Sequence, residues 1–444
     1  MLPRPNWITL CLLLSGAMGY YFFGLLIPGS RAALVSRDLS PGYGYGNDLY
    51  QIWLTSQQLL ARSADPYTVA MEHRIETGLY GRPLDRTNSA DATVIYRGFS
   101  YPLYTDILAL PLAPLSFHTV QILFSIVLPV MVALSVWCCC AALGMSLLPL
   151  ALASLFLLTL FSCQVLEGIY ALQPTLIVAT LLGAALAAVR GNKLVQAGVL
   201  LAAASIKPHL SALPTFWLLL WTASDWPRRK RLMVTFVAAL GVLLLISEIW
   251  LPRWWLGWLR ALPVYRHYTM PPWADFLLGS VVARVLTWAL LALALAAAVR
   301  WRGVPADSPR FFLLYAFLLA IAVGTISSSS AVYDQILLLP AALWLWFDRQ
   351  SILRASRPLR IVVLLVGMAF LWQWIFAPVV AVGSLLFSWK PSPRAVVFPL
   401  ITTGSFALGL LSLLGVFVAR KLGSDLSTRT THPRRAPQPL RSGL

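Results

Sequence analysis

Long apolar runs separated by short basic gaps are the feature that most limits how this chain of 444 residues can fold. The chain is 59% hydrophobic and 11% charged, whereas soluble domains carry about 25% charged residues. In a bilayer, every backbone N–H and C=O group must be satisfied within helices or a closed barrel. Because the runs are rich in Leu and Ala and lack a period of two, they predict an all-α polytopic membrane protein.

The formal net charge of +18 sits in the gaps between the apolar runs. Half of the 34 basic residues occupy 225–231, 300–310, 348–360 and 420–444, and the positive-inside rule makes these segments cytoplasmic. A nucleic-acid-binding protein would present such charge on one soluble face, so no nucleic-acid partner is expected. Segment 30–100 instead carries seven arginines and seven acids, a balance that permits its export.

These patterns divide the chain into four parts. Residues 1–29 form a first transmembrane anchor, whose apolar run of about 20 residues is long enough to span without cleavage as a signal sequence. Residues 30–100 form a large extracytoplasmic loop, 101–419 a transmembrane helical bundle, and 420–444 a basic disordered cytoplasmic tail. The expected location is the plasma (inner) membrane, crossed many times, with the lipid bilayer as partner.

Counting back from the basic tail gives six regularly alternating spans, at 396–419, 361–381, 335–347, 310–326, 281–300 and 231–251. The loops placed outside are rich in Trp and Tyr, as expected at a membrane interface; they are 252–278, 327–334 and 382–395.

Residues 101–117 and 194–223 allow two interpretations. In the first, 101–117 is shallow or re-entrant and 194–223 forms two separate spans. In the second, 101–117 spans and 194–223 is one helix kinked at Pro208. Both give about 12 transmembrane helices with both termini inside. Arg190 and Lys193 favour the first interpretation, because it places their turn in the cytoplasm.

An amphipathic helix is predicted within the loop, from Asp48 to Arg62, because Leu49, Ile52 and Leu59 recur at helical spacing. Such a helix would lie on the membrane surface. Asp48 at its start has two interpretations. As an N-cap, its oxygen would accept orphan backbone N–H groups. As a catalytic base, it would take the proton of an acceptor hydroxyl.

Lys207 interrupts an otherwise apolar stretch, and a charge at that depth is costly. It is either a site residue, with phosphate as its natural partner, or a lysine that snorkels to the interface. His209 follows two residues later as a site residue or a packed histidine. Arg266 and His267 suit a lipid phosphate or a sugar face, or belong to an interfacial belt.

Other signals are weaker or absent. Asp334 is a further acidic candidate, or a cap for the span 335–347. The chain has no Walker loop, no DxD, no HExxH and no CxxC among its five cysteines. No metal and no cofactor are therefore expected. The run Cys138–Cys140 is interpreted as membrane packing.

Several stretches, in this order, resemble the polyprenyl-phosphate-mannose-dependent mannosyltransferases of glycosyltransferase family 87, which have the GT-C fold. They cover about residues 45–350, and each motif is short. They are Asp48-Leu49-Tyr50, Asp65-Pro66-Tyr67, Phe99-Ser100-Tyr101-Pro102, Leu172-Gln173-Pro174-Thr175, Ile206-Lys207-Pro208 and Asp275-Phe276-Leu277-Leu278-Gly279. The chain departs from the family at Leu172, which replaces the Gly of G-Q, at Pro174, and at Leu103, which replaces the second Pro of Y-P-P.

The resemblance implies a GT-C type transferase with an active site on the extracytoplasmic face. The donor would be a polyprenyl-phosphate sugar such as mannose, and the acceptor a lipid-linked or envelope glycan. Asp48 matches the catalytic Asp of the family, and Lys207 matches its Lys-Pro position. Tyr101 and Gln173 lie in matched motifs, and together with Lys207, His209, Arg266 and His267 they form the expected substrate-binding set.

Two other classes compete with a transferase. A transporter or flippase of a lipid-linked or amphiphilic substrate would also have many spans and an intramembrane Lys207. The large polar loop 30–100 and the lack of internal repeats count against it. A structural scaffold for envelope assembly would leave Asp48 and Lys207 dispensable.

Overall fold

The computed structural model describes residues 5–39, 44–85, 87–88, 91, 94, 98–350, 356–387 and 393–430. Within these ranges the chain is helical and contains no β-strand, apart from one isolated bridge between Pro272 and Ser328. The all-helical prediction is therefore confirmed. Most interior side chains are Leu, Ala, Val and aromatic residues, and they form one large core with a smaller one beside it.

The helices vary in length from 3 to 38 residues. In chain order they are Pro5–Gly19, Tyr20–Leu26 (π-helical), Ile27–Val35, Asn47–Leu60, Val69–Tyr80, Tyr104–Ala109, Leu110–Leu112 (3-10), Phe117–Leu143, Pro149–Leu160, Cys163–Tyr170, Thr175–Arg190, Leu194–Ala204, Pro208–Ala223, Trp226–Trp250, Trp254–Tyr268, Trp273–Leu278, Ser280–Trp301, Pro309–Ile321, Ala322–Ile326 (π-helical), Val332–Leu338 (3-10), Leu339–Phe347, Arg357–Leu386 and Pro393–Thr430.

Seven helices in the described part of the chain are long and apolar enough to cross a membrane. The pair Pro149–Leu160 and Cys163–Tyr170, bent by 62°, would make an eighth span. Three further apolar helices are shorter: Thr175–Arg190, Leu194–Ala204 and Val332–Phe347. This composition is that of a multi-pass helical membrane protein.

One end of the bundle contains the arginine-rich segments 225–231 and 300–310 and the end of the last helix. We name it the basic end. Ser224 Oγ donates a hydrogen bond of 2.5 Å to the carbonyl of Arg302. The guanidinium of Arg310 binds the carboxylate of Asp425 at 2.7 Å. Segments far apart in sequence therefore meet at this end.

The opposite end contains the polar loop and the loops that are rich in Trp and Tyr. We name it the site end. Trp250 Nε1 donates to the carbonyl of Leu59 at 3.2 Å, and Trp258 Nε1 donates to that of Ser100 at 2.9 Å. Ser328 Oγ donates to the carbonyl of Met270 at 2.7 Å. The segments predicted to be outer loops thus contact one another.

In the middle of the chain, the positions of the helix breaks agree with the first of the two interpretations. Residues 194–223 form two helices, Leu194–Ala204 and Pro208–Ala223, rather than one kinked helix. Residues 101–117 contain only the short helices Tyr104–Ala109 and Leu110–Leu112. Pro111 and Pro114 lack the N–H that a longer helix would need.

Three boundaries differ from the predictions. The first helical stretch continues past residue 29 to Val35. The last helix runs on to Thr430, through the first part of the predicted disordered tail, while 431–444 lie outside the described residues. The loop helix, Asn47–Leu60, confirms the predicted amphipathic helix, but eight of its side chains, four of them polar, are buried against the bundle.

Candidate functional site

The first turn of the loop helix places Asp48 inside the protein. Gly46 is the N-cap, with φ +83°, and Asp48 is the second helical residue. The N-cap interpretation of Asp48 is therefore wrong. Only 4% of Asp48 is exposed, and its Oδ2 accepts a hydrogen bond of 2.5 Å from Gln173 Nε2.

Two backbone hydrogen bonds join the start of the loop helix to the turn that precedes Gln173. The N–H of Gly46 donates to the carbonyl of Tyr170 at 2.8 Å, and that of Asp48 donates to Ala171 at 3.2 Å. Both N–H groups would otherwise lack partners at a helix start. The backbone thus holds Asp48 and Gln173 together independently of their side chains.

Tyr101 orients the amide of Gln173. The hydroxyl of Tyr101 donates to Gln173 Oε1 at 3.3 Å, which turns Nε2 of the amide towards Asp48. The carbonyl of Tyr101 in turn accepts a hydrogen bond of 2.9 Å from the hydroxyl of Tyr67. Burial is the main cause that raises the pKa of Tyr67, so its hydroxyl stays protonated and can donate. A chain of hydrogen bonds thus leads to the carboxylate of Asp48.

Lys207 is a buried lysine with defined partners. It is 5% exposed, and its Nζ donates to Thr175 Oγ1 at 2.6 Å and lies 3.6 Å from Asp334 Oδ1. The ammonium also lies 5.1 Å from the ring centre of Tyr333 and 5.9 Å from that of Tyr101. The snorkelling interpretation is therefore wrong, because the side chain bonds inside the protein.

Asp334 is the counter-ion of Lys207. It lies inside the 3-10 helix Val332–Leu338, whose N-cap is Ala331, so Asp334 is not a cap. Its Oδ1 accepts a hydrogen bond of 2.6 Å from Thr175, and its Oδ2 accepts one of 2.5 Å from Ser327. A buried charge pair is stable only when its remaining polar groups are satisfied, and both carboxylate oxygens are.

Tyr333 connects the two halves of the site. Burial raises the pKa of Tyr333 well above its usual value, and the negative charges of Asp48 and Asp334 raise it further. Both carboxylates therefore lie close enough to the phenol of Tyr333 for their charges to act on it. We name the residues Asp48, Tyr101, Gln173, Thr175, Lys207, Ser327, Tyr333 and Asp334 the polar site.

His209 lies at the edge of the polar site. Its Nε2 is 4.0 Å from Asp334 Oδ2, and its side chain is 44% exposed. Pro208 is the first residue of the helix Pro208–Ala223 and fixes its first turn. His209 therefore lies at the same helix start as Lys207.

Arg266 and His267 are exposed residues in the last turn of Trp254–Tyr268. Among the described residues, no hydrogen bond or ion pair joins Arg266 to Asp48 or Lys207. Their neighbour Tyr265 is close enough for its charge to affect Tyr333. The structure thus brings four of the six predicted binding residues to Asp48 and leaves these two at the rim.

The polar site brings together two buried carboxylates, Asp48 and Asp334, and one buried ammonium, that of Lys207. Within the described ranges, no group of three or more His, Cys, Asp or Glu side chains could hold a metal ion. No family model, curated protein or solved structure matches this chain. The function is therefore argued from the geometry of the polar site.

Proposed function

We propose that this protein is a membrane glycosyltransferase that moves a sugar from a polyprenyl-phosphate donor to a lipid-linked or envelope glycan. The observation that carries the proposal is a buried carboxylate, Asp48, held by Gln173 in the same polar site as the buried cation Lys207. A transfer of this kind needs a base for the acceptor and a cation for the leaving phosphate. The polar site offers one of each.

The proposed reaction is a single displacement with inversion. The acceptor hydroxyl attacks the anomeric carbon, and the bond between that carbon and the phosphate oxygen breaks. Asp48 takes the hydroxyl proton, and the polyprenyl phosphate leaves with the electron pair. Lys207 stabilises the leaving phosphate, and His209 contacts it from the rim. A phosphate leaves readily, so the reaction needs no general acid.

The other residues hold or extend this arrangement. Tyr101 and Gln173 fix the direction of the Asp48 carboxylate, which preorganises the base. Asp334 keeps Lys207 in place before the donor arrives. Arg266 and His267 lie where the phosphate or the glycan would pass the membrane interface, and a guanidinium suits a phosphate well.

We also infer that the chain crosses the membrane twelve times. Three contacts support this count at the breaks between the shorter helices. Arg190 Nη1 donates to the carbonyl of Ala142 at the basic end, Tyr104 donates to Ser205 at the site end, and Trp221 donates to Val304 at the basic end. These contacts are those expected of short helices that alternate between the two ends. The positive-inside rule then makes the site end extracytoplasmic.

The decisive experiment is transfer of radiolabelled mannose from polyprenyl-phosphate-mannose to a total lipid and glycan extract. Wild type, Asp48→Asn and Asp85→Asn are compared at equal protein level. Asp85 is an exposed acid of the same loop, and its variant controls for lost charge. Transfer by wild type and Asp85→Asn alone supports the proposal. Equal transfer by Asp48→Asn would remove Asp48 from catalysis.

A transporter remains the second candidate because of one observation. Lys207 and Asp334 form an ion pair buried among the helices, and such pairs also mark ion-coupled transport pathways. Reconstituted vesicles loaded with labelled polyprenyl-phosphate sugar distinguish the two. Movement of intact donor between leaflets without sugar transfer would favour transport, whereas released polyprenyl phosphate and labelled glycan would favour transfer.

A further inference from the structure

A groove of about 750 Å³ opens at the basic end, which is the end of the bundle opposite the polar site. Its wall is one face of the helix Ser280–Trp301, formed by Ala292, Leu295, Ala296 and Val299. These residues recur three and four positions apart, so they share one side of the helix. All four are exposed, and the two alanines leave the groove deep enough for a chain of methylene groups.

Arg300 lies at the closed end of this groove with an unused donor. Its Nε is buried and has no hydrogen-bond partner, and its Nη2 makes only a long contact of 3.4 Å with the carbonyl of Asp425. The carboxylate of Asp425 is bound by two nitrogens of Arg310, at 2.7 and 3.1 Å, and by Trp301. Arg310 and Trp301 thus take the direct bonds to that carboxylate, and Arg300 acts on it only at longer range.

Arg302 adds a second cation at the mouth of the groove. Its carbonyl accepts the hydrogen bond from Ser224, whereas its guanidinium has no partner among the residues that the structure describes. Across this contact lies a smaller cavity of about 470 Å³, where Arg228 and Arg229 flank Asp225. The neighbourhood thus keeps a surplus of positive charge.

We propose that this groove binds an acidic phospholipid. The phosphate takes hydrogen bonds from Arg300 and Arg302, and one acyl chain lies along the face from Ala292 to Val299. A guanidinium forms a charge-assisted hydrogen bond to a phosphate oxygen, which is stronger than the long contact of 3.4 Å that Arg300 makes with a backbone carbonyl. Basic pockets between membrane helices on the cytoplasmic side suit anionic head groups. The groove combines such a pocket with an apolar wall at membrane depth.

The test is a titration of the purified full-length protein, followed by native mass spectrometry. The probes are dioleoyl phosphatidylglycerol and dioleoyl phosphatidylcholine, which share acyl chains and differ in net charge. Wild type should bind phosphatidylglycerol about tenfold more tightly than phosphatidylcholine. The choline cation of phosphatidylcholine compensates the charge of its phosphate, whereas the glycerol group of phosphatidylglycerol does not. Ala296→Trp fills the groove and should weaken the binding of both lipids.

Arginine variants separate this site from general attraction to a basic surface. Arg300→Gln/Arg302→Gln should abolish the preference, whereas Arg357→Gln/Arg360→Gln, which removes the same charge from exposed positions, should keep it. Arg302→Gln alone keeps the contact between Arg300 and the carbonyl of Asp425. This variant should reduce the preference for phosphatidylglycerol about threefold. Equal binding of both lipids by wild type, or loss of preference in both double variants, would overturn the proposal.

Discussion

The side chain of Leu172 packs directly against Gly46, so that a β-carbon on Gly46 would lie 2.7 Å from Leu172 Cδ1. Both residues have left-handed backbones, with φ +83° at Gly46 and +50° at Leu172. Only glycine adopts this conformation without strain. The contact therefore determines how closely the start of the loop helix approaches the turn before Gln173.

Gly46→Ala should move Asp48 away from Gln173. We expect the variant to lose about 2–4 kcal/mol of stability, from a strained backbone and from overpacking against Leu172, and to lose most transfer activity per folded molecule. Thermal unfolding and the mannose-transfer assay measure the two effects. Gly144→Ala is the control, because Gly144 is also left-handed but faces the flexible end of Arg190. Transfer by Gly46→Ala equal to that of this control would contradict the prediction.

Tyr101→Phe should reduce transfer about fivefold to tenfold, since it removes one hydrogen bond that orients Gln173. The fall should appear in kcat rather than in the apparent KM of the donor. Tyr315→Phe is the matched control: Tyr315 is also buried, and its hydroxyl bonds the carbonyl of Leu182 at 3.0 Å. A similar fall in kcat for both variants would show a general packing effect.

Lys207→Met should destabilise the protein by about 3–5 kcal/mol, because it leaves Asp334 as a buried charge without its cation. Lys207→Met/Asp334→Asn should recover most of that stability. Transfer should be absent from both variants, since neither has a cation for the leaving phosphate. Wild-type transfer by the stable double variant would assign Lys207 a purely structural role.

Asp106 should make stability depend on pH. It lies in Tyr104–Ala109, outside every candidate span. Its Oδ1 accepts a hydrogen bond of 2.9 Å from Thr55, and its Oδ2 has no partner in the described structure. Burial raises the pKa of Asp106 well above the usual value, so the folded protein binds a proton that the unfolded chain releases.

The sign of that effect follows from linkage. Stability from the protonated carboxyl is present below the unfolded pKa and is lost as pH rises towards the raised, folded pKa. Asp106→Asn does not titrate, so the unfolding temperature of the variant should rise relative to that of wild type as the pH increases above about 4, over the range in which both proteins fold. A constant difference between the two proteins across this range would show that Asp106 is ionised in the folded state.

The sequence was informative where one periodic pattern decides the local structure. The apolar runs predict helices, and the spacing of Leu49, Ile52 and Leu59 predicts the loop helix within two residues at either end. Its burial was not predicted. Gln51, Thr55 and Ser56 look solvent-facing by composition, yet they are buried, and Thr55 bonds Asp106 from 51 residues away. Periodicity gives the face of a helix, not the identity of its partner.

The polar site was predicted only in part, for a related reason. Asp48, Gln173 and Lys207 were found because each is unusual in its own surroundings or lies in a matched motif. Thr175 lies in a matched motif but was not named as a site residue, and Asp334 was named only as a further acidic candidate. The hydrogen bond between them joins positions 159 residues apart, which no local pattern predicts. One further signal was present: Leu172 occupies a glycine position of the motif, and the structure shows that this position is left-handed.

The backbone bonds between Gly46 and Tyr170 and between Asp48 and Ala171 have a consequence for biosynthesis. Asp48 leaves the ribosome long before Gln173, which follows 125 residues later. Until the intervening helices enter the membrane, the loop helix has neither its backbone acceptors nor the amide that holds its carboxylate. The polar site is therefore completed late, well after the loop helix that carries Asp48 has been synthesised.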